Sequence, residues 1–143
     1  MTPYTYDYPR PMVTVDCIAT NTGNEGEISV LLIKRGNNPF QNMWALPGGF
    51  VDMDEDLHEA ATRELEEETG LRLKTVNQFR TYGKPGRDPR GRNISVVFYA
   101  AVPHELNIKG GDDATDARWF KISELPELAF DHSIIIQDFL KTI

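Results

Sequence analysis

The chain has 143 residues, a length that suits one domain with a core large enough to fold without disulfide bonds. Apolar residues make up 40% of the sequence and charged residues 26%, proportions typical of globular proteins, which excludes an intrinsically disordered chain. The formal net charge of −7 argues against nucleic-acid binding, because contacts to phosphates require a basic surface.

The sequence carries no signal for export or for membrane insertion. The first eleven residues, MTPYTYDYPRP, lack the basic and then apolar layout of a signal peptide, and no apolar run approaches the roughly 18 to 20 residues of a membrane span. The single cysteine, Cys17, cannot form an intrachain disulfide bond and lies in an apolar stretch where a buried thiol is expected. We therefore expect one cytoplasmic domain, residues 1–143, without a membrane partner.

Two strands are predicted near the start of the chain. Residues 12–19 alternate between apolar and polar, with Thr14 and Asp16 on the polar side, which is the pattern of a half-buried strand. Residues 21–26 are rich in turn formers, and the apolar run 28–33 then predicts a second strand, joined to the first by a hairpin or a short loop.

The middle of the chain predicts a helix between strands. Residues 54–68 have a helical pattern that Gly70 closes. Residues 71–80 predict a strand, and residues 83–92 form a loop rich in glycine, proline and arginine. The run 94–102 is rich in β-branched and aromatic residues and predicts a central strand.

The end of the chain predicts one more strand and a second helix. The strand is expected at residues 117–122, after which Ser123 caps a brief turn that Pro126 interrupts. Apolar residues recur at helical spacing over 132–141, which indicates an amphipathic helix packed on the sheet. Strands mixed with two helices predict an α/β fold built on a mixed sheet.

The first helix carries an acidic stripe where an apolar one is expected. The stripe follows one face of the helix and consists of Leu57, Ala60, Ala61, Glu64, Glu67 and Glu68. The three glutamates lie near the helix C-terminus, where the macrodipole disfavours each negative charge by roughly 0.3 to 1 kcal/mol. One interpretation is a solvated, charged helix end. The other, favoured by the register, is a metal site that neutralises the carboxylates.

The chemistry of these side chains indicates the metal. Carboxylate oxygens in this number suit Mg²⁺ or Mn²⁺, and the absence of a Cys and His cluster argues against zinc. The three histidines, His58, His104 and His132, are far apart in the sequence, and each is predicted to be a surface or packing residue rather than a ligand.

Residues 49–71, GFVDMDEDLHEAATRELEEETGL, resemble the Nudix box. That pattern is a glycine, five residues, a glutamate, seven residues and then R-E-U-x-E-E-x-G-U, where U is a bulky aliphatic residue. The positions that match are Gly49, Glu55, Arg63, Glu64, Leu65, Glu67, Glu68, Gly70 and Leu71. The resemblance implies a Nudix-type α/β/α sandwich with a mixed β-sheet, and hydrolysis of a nucleoside diphosphate linked to another moiety.

The resemblance also implies roles for individual residues. Glu64, Glu67 and Glu68 match the positions that bind divalent ions, with help from the backbone carbonyl that matches Gly48. Arg63 and Glu55 match positions that brace the site through ion pairs, and Gly49 and Gly70 are structural positions of the box. Asp112 and Asp113 fall in the region where family members often place a further carboxylate, which acts as a base or as a metal ligand.

Substrate choice must come from residues outside the box. Pro85 lies fifteen residues after Gly70, and its surroundings, GKPGRDPRGRNISVVFYA, resemble the subgroup of ADP-ribose pyrophosphatases. Candidates for holding a phosphate or a ribose are the basic residues Lys84, Arg87, Arg90 and Arg92, unless this loop is simply a solvated hairpin connection.

Two further substrate candidates lie outside that loop. Arg35 is a second phosphate candidate, the alternative being a surface charge at a strand end. Phe130, in the segment LAFDH with Asp131 and His132, is a candidate for stacking on adenine or orienting it, although a loop that enters a helix needs no such role.

The expected reaction is metal-dependent hydrolysis of ADP-ribose to AMP and ribose 5-phosphate. Alternatives are a hydrolase of oxidised nucleoside triphosphates or of other sugar nucleotides, and a sensor that binds ADP-ribose without cleaving it. The intact box and a chain that ends at Ile143 without a helix-turn-helix module argue against the sensor. The aromatic arm, residues 1–11, is expected either to reach a partner subunit in a homodimer or to be disordered.

Overall fold

One mixed sheet of seven strands organises the computed structural model, which describes residues 3–103, 110–111 and 113–143. The strands are β1 Met12–Thr22, β2 Ile28–Arg35, β3 Trp44–Ala45, β4 Gly48–Phe50, β5 Asn77–Tyr82, β6 Asn93–Ala101 and β7 Ala114–Lys121. The helices are α1 Leu57–Thr69 and α2 His132–Leu140, and a short 3-10 helix spans Ile122–Glu124.

Neighbouring strands follow the order β3-β2-β1-β6-β5. The long central strands β1 and β6 run parallel, whereas β2 is antiparallel to β1, and β5 is antiparallel to β6. The short strand β4 pairs with the first half of β1, and β7 pairs with β2. The sheet is therefore mixed, and β6 is an interior strand, as predicted.

The two helices cover opposite faces of this sheet. Ala60 and Ala61 of α1 pack against Val15 and Val96 on one face. On the other face, the buried residues of α2 form a core with Ile18, Val30, Leu32 and Val97. The arrangement confirms the predicted α/β/α sandwich.

The prediction that β1 is half-buried was wrong. Thr14 is only 6% exposed and Asp16 only 8%, because α2 covers the face that the alternation assigned to solvent. Cys17 is buried on the α1 side of the sheet, as predicted. Burial, with the charge of Asp16 as a second cause, raises the pKa of its thiol to about 12.

Local capping sets the ends of α1. The helix begins at Leu57 rather than at residue 54, because Asp56 caps its N-terminus and forms a capping box with Glu59. Gly70 ends the helix in a left-handed conformation with φ 77°, and its N–H donates to the carbonyl of Glu66 at 2.8 Å.

Other predicted boundaries also changed. Residues 71–76 are not part of a strand, because Leu71 turns into the core beneath α1, and β5 starts at Asn77. The last strand begins at Ala114 and ends at Lys121. Ser123 lies inside the 3-10 helix, which has no side-chain cap. The second helix ends at Leu140.

The N-terminal arm forms neither a helix nor a strand over residues 3–11. Its three tyrosines, Tyr4, Tyr6 and Tyr8, are exposed, and the guanidinium of Arg10 lies 3.9 Å from the centroid of the Tyr6 ring. His104 and Asp112 lie outside the described residues. Within the described ranges, no helix is both long enough and apolar enough to span a bilayer.

Candidate functional site

A cleft of about 400 Å³ opens where the C-terminal half of α1 meets β4 and the start of α2. The predicted site residues that line it are Arg35, Gly48, Gly49, Glu64, Glu67, Glu68, Arg87, Arg90, Asp113 and Phe130. Arg63 and Glu55 lie beside the cleft rather than in its lining, and Gly70 lies at the end of α1. Pro85 is exposed and is not a lining residue.

Glu68 is a buried carboxylate of the cleft, with 6% of its surface exposed. Its Oε1 accepts a hydrogen bond from the N–H of Gly48 at 2.7 Å, which ties α1 to β4. The pKa of Glu68 is raised to about 8, chiefly by burial and also by the negative charges of Glu64, Asp16 and Asp113, against the effect of the Gly48 hydrogen bond. The cleft therefore holds more negative charge than its own groups can neutralise.

The raised pKa of Glu68 predicts how stability depends on pH. Between its ordinary value of 4.5 and about 8, the folded chain holds a proton that the unfolded chain has released. The contribution of Glu68 to the free energy of unfolding is thus fully present below pH 4.5 and is lost as the pH rises through 8, where the folded chain also releases the proton. In metal-free buffer at pH 8.5, Glu68→Gln should raise the free energy of unfolding by roughly 1 to 2 kcal/mol, measured by urea unfolding.

The matched control for this substitution is Glu66→Gln, on the same helix. Glu66 is exposed and pairs with Arg72, so its replacement should leave the pH profile of unfolding unchanged. An equal difference between Glu68→Gln and the wild type at pH 5 and at pH 8.5 would contradict the assignment.

Arg63 connects the remaining carboxylates of the box. Its Nε and Nη2 donate to Glu55 at 2.8 and 2.6 Å, and its Nη1 donates to Glu64 at 2.9 Å and to Glu67 at 3.1 Å. The hydrogen bond from Arg63 lowers the pKa of Glu55, and the one to Glu55 raises the pKa of Arg63. Arg63 thus donates charge-assisted hydrogen bonds to three carboxylates of the box.

Glu64 lies between Arg63 and the glycine strand β4. Burial raises its pKa, and the charge of Arg63 partly offsets that effect. A Cβ atom on Gly49 would lie 2.5 Å from Oε1 of Glu64, so a side chain at residue 49 would displace this carboxylate. The constraint at the first glycine of the box is therefore its close approach to the Glu64 carboxylate and not an unusual φ.

The donor set suits a hard divalent cation. Within residues 3–103, 110–111 and 113–143, no three acidic, histidine or cysteine side chains already surround one point where a metal ion would fit. Glu64 and Glu67 instead bind Arg63, and Glu68 binds Gly48. Their carboxylate oxygens are nevertheless the ligands that Mg²⁺ and Mn²⁺ prefer. Burial, and then the neighbouring negative charges, disfavour the ionised form of Glu68, and a bound cation would favour it.

Two of the three arginines in the cleft already have carboxylate partners. Arg87 is nearly buried and donates to Asp131 through Nε at 2.9 Å and Nη2 at 2.6 Å. Arg90 pairs in the same way with Asp88. Burial raises the pKa of Asp88, but hydrogen bonds from Arg90 and Asn93 outweigh it and lower the value to about 2. The Arg87 pair attaches the loop 83–92 to Asp131 at the start of α2, and the Arg90 pair lies within the loop.

Arg35 differs from the other two arginines. Its Nε donates to the carbonyl of Pro39 at 2.8 Å, and its guanidinium lies 4.9 Å from the centroid of the Phe130 ring. No carboxylate in the described part of the chain lies within ion-pair distance of it. Burial lowers its pKa, and the charge of Arg90 lowers it further. An anion in the cleft would relieve this cost.

Sequence reasoning missed several residues that line the cleft. They include Thr14, Asp16, Phe50 and Asp88. Thr14 and Asp16 gave a signal, two polar residues on a strand, but the alternation assigned them to solvent. Phe50 gave none, and it lies close to Arg90, whose guanidinium is 5.0 Å from the Phe50 ring centroid and 5.3 Å from that of Phe130.

The two histidines that the structure describes, His58 and His132, behave as predicted. His132 is 3% exposed, and its Nδ1 accepts the N–H of Leu46 at 2.9 Å, so it is a packing residue. Burial lowers its pKa. His58 is exposed on α1.

Comparisons with known proteins agree with this geometry. Residues 10–139 match the NUDIX domain. The ADP-ribose pyrophosphatase of Methanocaldococcus jannaschii is 47% identical over 134 residues, which cover 94% of this chain and 76% of that protein.

Solved structures show the same fold. The NUDIX domain of Shewanella oneidensis NrtR complexed with ADP ribose superposes with a TM-score of 0.86 at 30% identity, over 96% of this chain and 93% of that one. A bifunctional NMN adenylyltransferase/ADP ribose pyrophosphatase from Francisella tularensis, complexed with AMP and a Mn ion, gives a TM-score of 0.85 at 29% identity. That alignment covers 96% of this chain but only 43% of the bifunctional protein.

Proposed function

This chain belongs to the NUDIX domain family, and we propose that it hydrolyses ADP-ribose to AMP and ribose 5-phosphate. Membership confirms the resemblance seen in residues 49–71 and makes the chain a Nudix hydrolase. One observation carries the choice of substrate class: a single cleft combines the three α1 carboxylates with Arg35 and two phenylalanine rings. The names of the archaeal relative and of the ADP-ribose complex support ADP-ribose in particular.

The metal-binding residues of this proposal are Glu64, Glu67 and Glu68, together with the carbonyl of Gly48. Bound divalent ions, Mg²⁺ with Mn²⁺ as the alternative, would neutralise the diphosphate and lower the pKa of a coordinated water. The protein's part is positioning. Arg63 holds Glu64 and Glu67 in place, and the N–H of Gly48 holds Glu68. Asp113, exposed at the edge of the cleft, is the proposed base.

Arg35 is the proposed partner of the substrate's phosphates, ahead of Arg87 and Arg90. Arg87 and Arg90 would have to give up bidentate carboxylate partners to bind a phosphate. Arg35 has no such partner, and a bound phosphate would offset the cost of burying its charge. Arg35→Ala should raise KM for ADP-ribose by about 10- to 100-fold, the value of one charge-assisted hydrogen bond, with a smaller change in kcat.

The control for Arg35→Ala is Arg72→Ala, an arginine on the surface whose side chain is 83% exposed. Steady-state kinetics of AMP release should show wild-type constants for the control. A wild-type KM in Arg35→Ala, with Arg90→Ala raising it instead, would assign the phosphates to the loop 83–92.

Phe130 and Phe50 are the proposed platforms for adenine. Phe130 has a positive φ of 54° and packs edge-on against Phe40 at 4.7 Å, so its ring is held at the cleft by a strained backbone and a second ring. The guanidinium of Arg90 lies within about 5 Å of both platforms and is itself flat, so it can stack on the base.

A substrate panel tests the proposal directly. Purified protein with Mg²⁺ or Mn²⁺ should release AMP from ADP-ribose faster than it cleaves dinucleotides or other sugar nucleotides. Faster release of pyrophosphate from triphosphates, including oxidised ones, would show that the substrate is wrong. ADP-ribose that stays bound but uncleaved after long incubation with metal would indicate a sensor.

The homodimer and the cytoplasmic location remain predictions. Exposed tyrosines at positions 4, 6 and 8 are the support for a dimer, since such residues are enriched at subunit interfaces. Light scattering measures the molar mass of the full chain and of a variant in which the three tyrosines are replaced by serine. A dimer held by these tyrosines should give a lower mass in the variant.

A further inference from the structure

A buried polar chain links α2 to the central strand beneath the cleft. Nδ1 of His132 accepts the N–H of Leu46, so the ring proton resides on Nε2, which lies 3.5 Å from Oδ1 of Asp16. The other oxygen of Asp16 accepts the hydroxyl of Ser95 on the neighbouring strand. All four residues are less than 9% exposed. These buried contacts therefore connect four separate segments of the protein.

The segment Leu46–Gly48 is the part of the site that contacts the buried polar residues His132 and Asp16. On one side, the carbonyl of Pro47 accepts the N–H of Cys17 at 2.8 Å, and on the other, the N–H of Gly48 donates to Glu68. A Cβ on Gly48 would lie 2.1 Å from the carbonyl oxygen of Val15 and 2.5 Å from Oδ1 of Asp16. The segment thus packs closely against β1 beside Asp16. A displacement of the Leu46 backbone would move Gly48, two residues on, and so change its hydrogen bond to Glu68.

We propose that His132 and Asp16 are positioning residues for the metal-binding end of the cleft. His132 fixes the direction of the Leu46 N–H, and this holds the following peptides so that Gly48 presents its N–H to Glu68 and its carbonyl to the cation. Asp16 holds the imidazole in the tautomer that accepts from Leu46, and Ser95 holds Asp16. The inference rests on the proposed function only in that the ligands are Glu68 and Gly48.

Direct metal binding tests the inference without any turnover. The dissociation constant for Mn²⁺ is measured on the full chain, in the absence of nucleotide, from the electron paramagnetic resonance signal of free Mn²⁺. His132→Ala should weaken Mn²⁺ binding by about 10- to 100-fold, the usual effect of removing a group that orients a ligand. His132→Asn places an oxygen near the position of Nδ1 and should stay within about threefold of the wild type.

His58→Ala is the matched control, because His58 is exposed and touches nothing in the cleft. Circular dichroism at the temperature of the titration shows that each variant is folded. Ser95→Ala provides a second variant that removes only the hydroxyl donor to Asp16, and it should weaken Mn²⁺ binding several-fold.

The outcomes separate the two levels of the proposal. If the wild type binds Mn²⁺ and the folded His132→Ala and Ser95→Ala variants bind it equally well, the positioning role is overturned and the metal site stands. If the asparagine variant loses as much affinity as the alanine variant, the hydrogen bond to Leu46 is not the cause. If the wild type itself does not bind Mn²⁺, both the metal site and the positioning role fall.

Discussion

Replacing Glu67 with glutamine is expected to lower kcat for ADP-ribose by about 10³-fold, which corresponds to about 4 kcal/mol of transition-state stabilisation. The change removes one negative charge from the proposed metal ligands and keeps the size of the side chain. Because the Glu67 side chain is 39% exposed, the fold should tolerate the substitution. The measurement is AMP release with Mg²⁺, together with calorimetric titration of ADP-ribose, whose binding should persist.

Glu66→Gln is the matched control for this experiment. The two residues are adjacent on α1 and similarly exposed, but Glu66 pairs with Arg72 and does not line the cleft. The control should keep wild-type kcat. Full Mg²⁺-dependent turnover by Glu67→Gln would refute the assignment of the metal-binding helix face.

Arg63→Lys is expected to lower kcat by about 100-fold, because displacing a catalytic group by about 1 Å can cost that much. The guanidinium donates hydrogen bonds to three carboxylates, Glu55, Glu64 and Glu67, and a lysine ammonium cannot reproduce this geometry. Since Glu55 and Glu64 are largely buried, the free energy of unfolding should also fall, by roughly 1 to 3 kcal/mol.

Arg72→Lys, on the surface near the end of the same helix, is the control and should change neither quantity. A double variant with Glu55→Gln tests whether Arg63 and Glu55 stabilise the fold together. If the two residues stabilise the fold together, the double variant will lose less free energy of unfolding than the two single variants lose in total. Strict additivity, measured by urea unfolding, would show that the two residues act independently.

The helix of the site was predictable because its signals are local. Apolar residues followed by carboxylates at the same helical spacing reveal the inward face of α1, and Asp56, Glu59 and Gly70 supply its caps within a few residues of each end. The strands β3 and β4 escaped prediction because two or three residues cannot display a period. They exist because β1 and β2 provide partners for them.

The opposite wall of the cleft was harder to predict, because it is assembled from distant parts of the chain. The sequence indicated Arg35, Arg87 and Arg90 as equivalent cations. The structure separates them, since Asp131 lies 44 residues from Arg87 and is bound to it, whereas Arg35 contacts a carbonyl and a ring. The polar face of β1 was assigned to solvent because alternation alone does not reveal whether a second helix covers that face.

The deep burial of Cys17 gives this chain a built-in reporter of its opening motions. With a thiol pKa of about 12 and 1% exposure, the native protein should react with alkylating reagents only through openings that separate α1 from the sheet. The rate of thiol modification therefore measures how often α1 separates from the sheet. Saturation with a divalent cation should slow that rate by stabilising the packed position of α1.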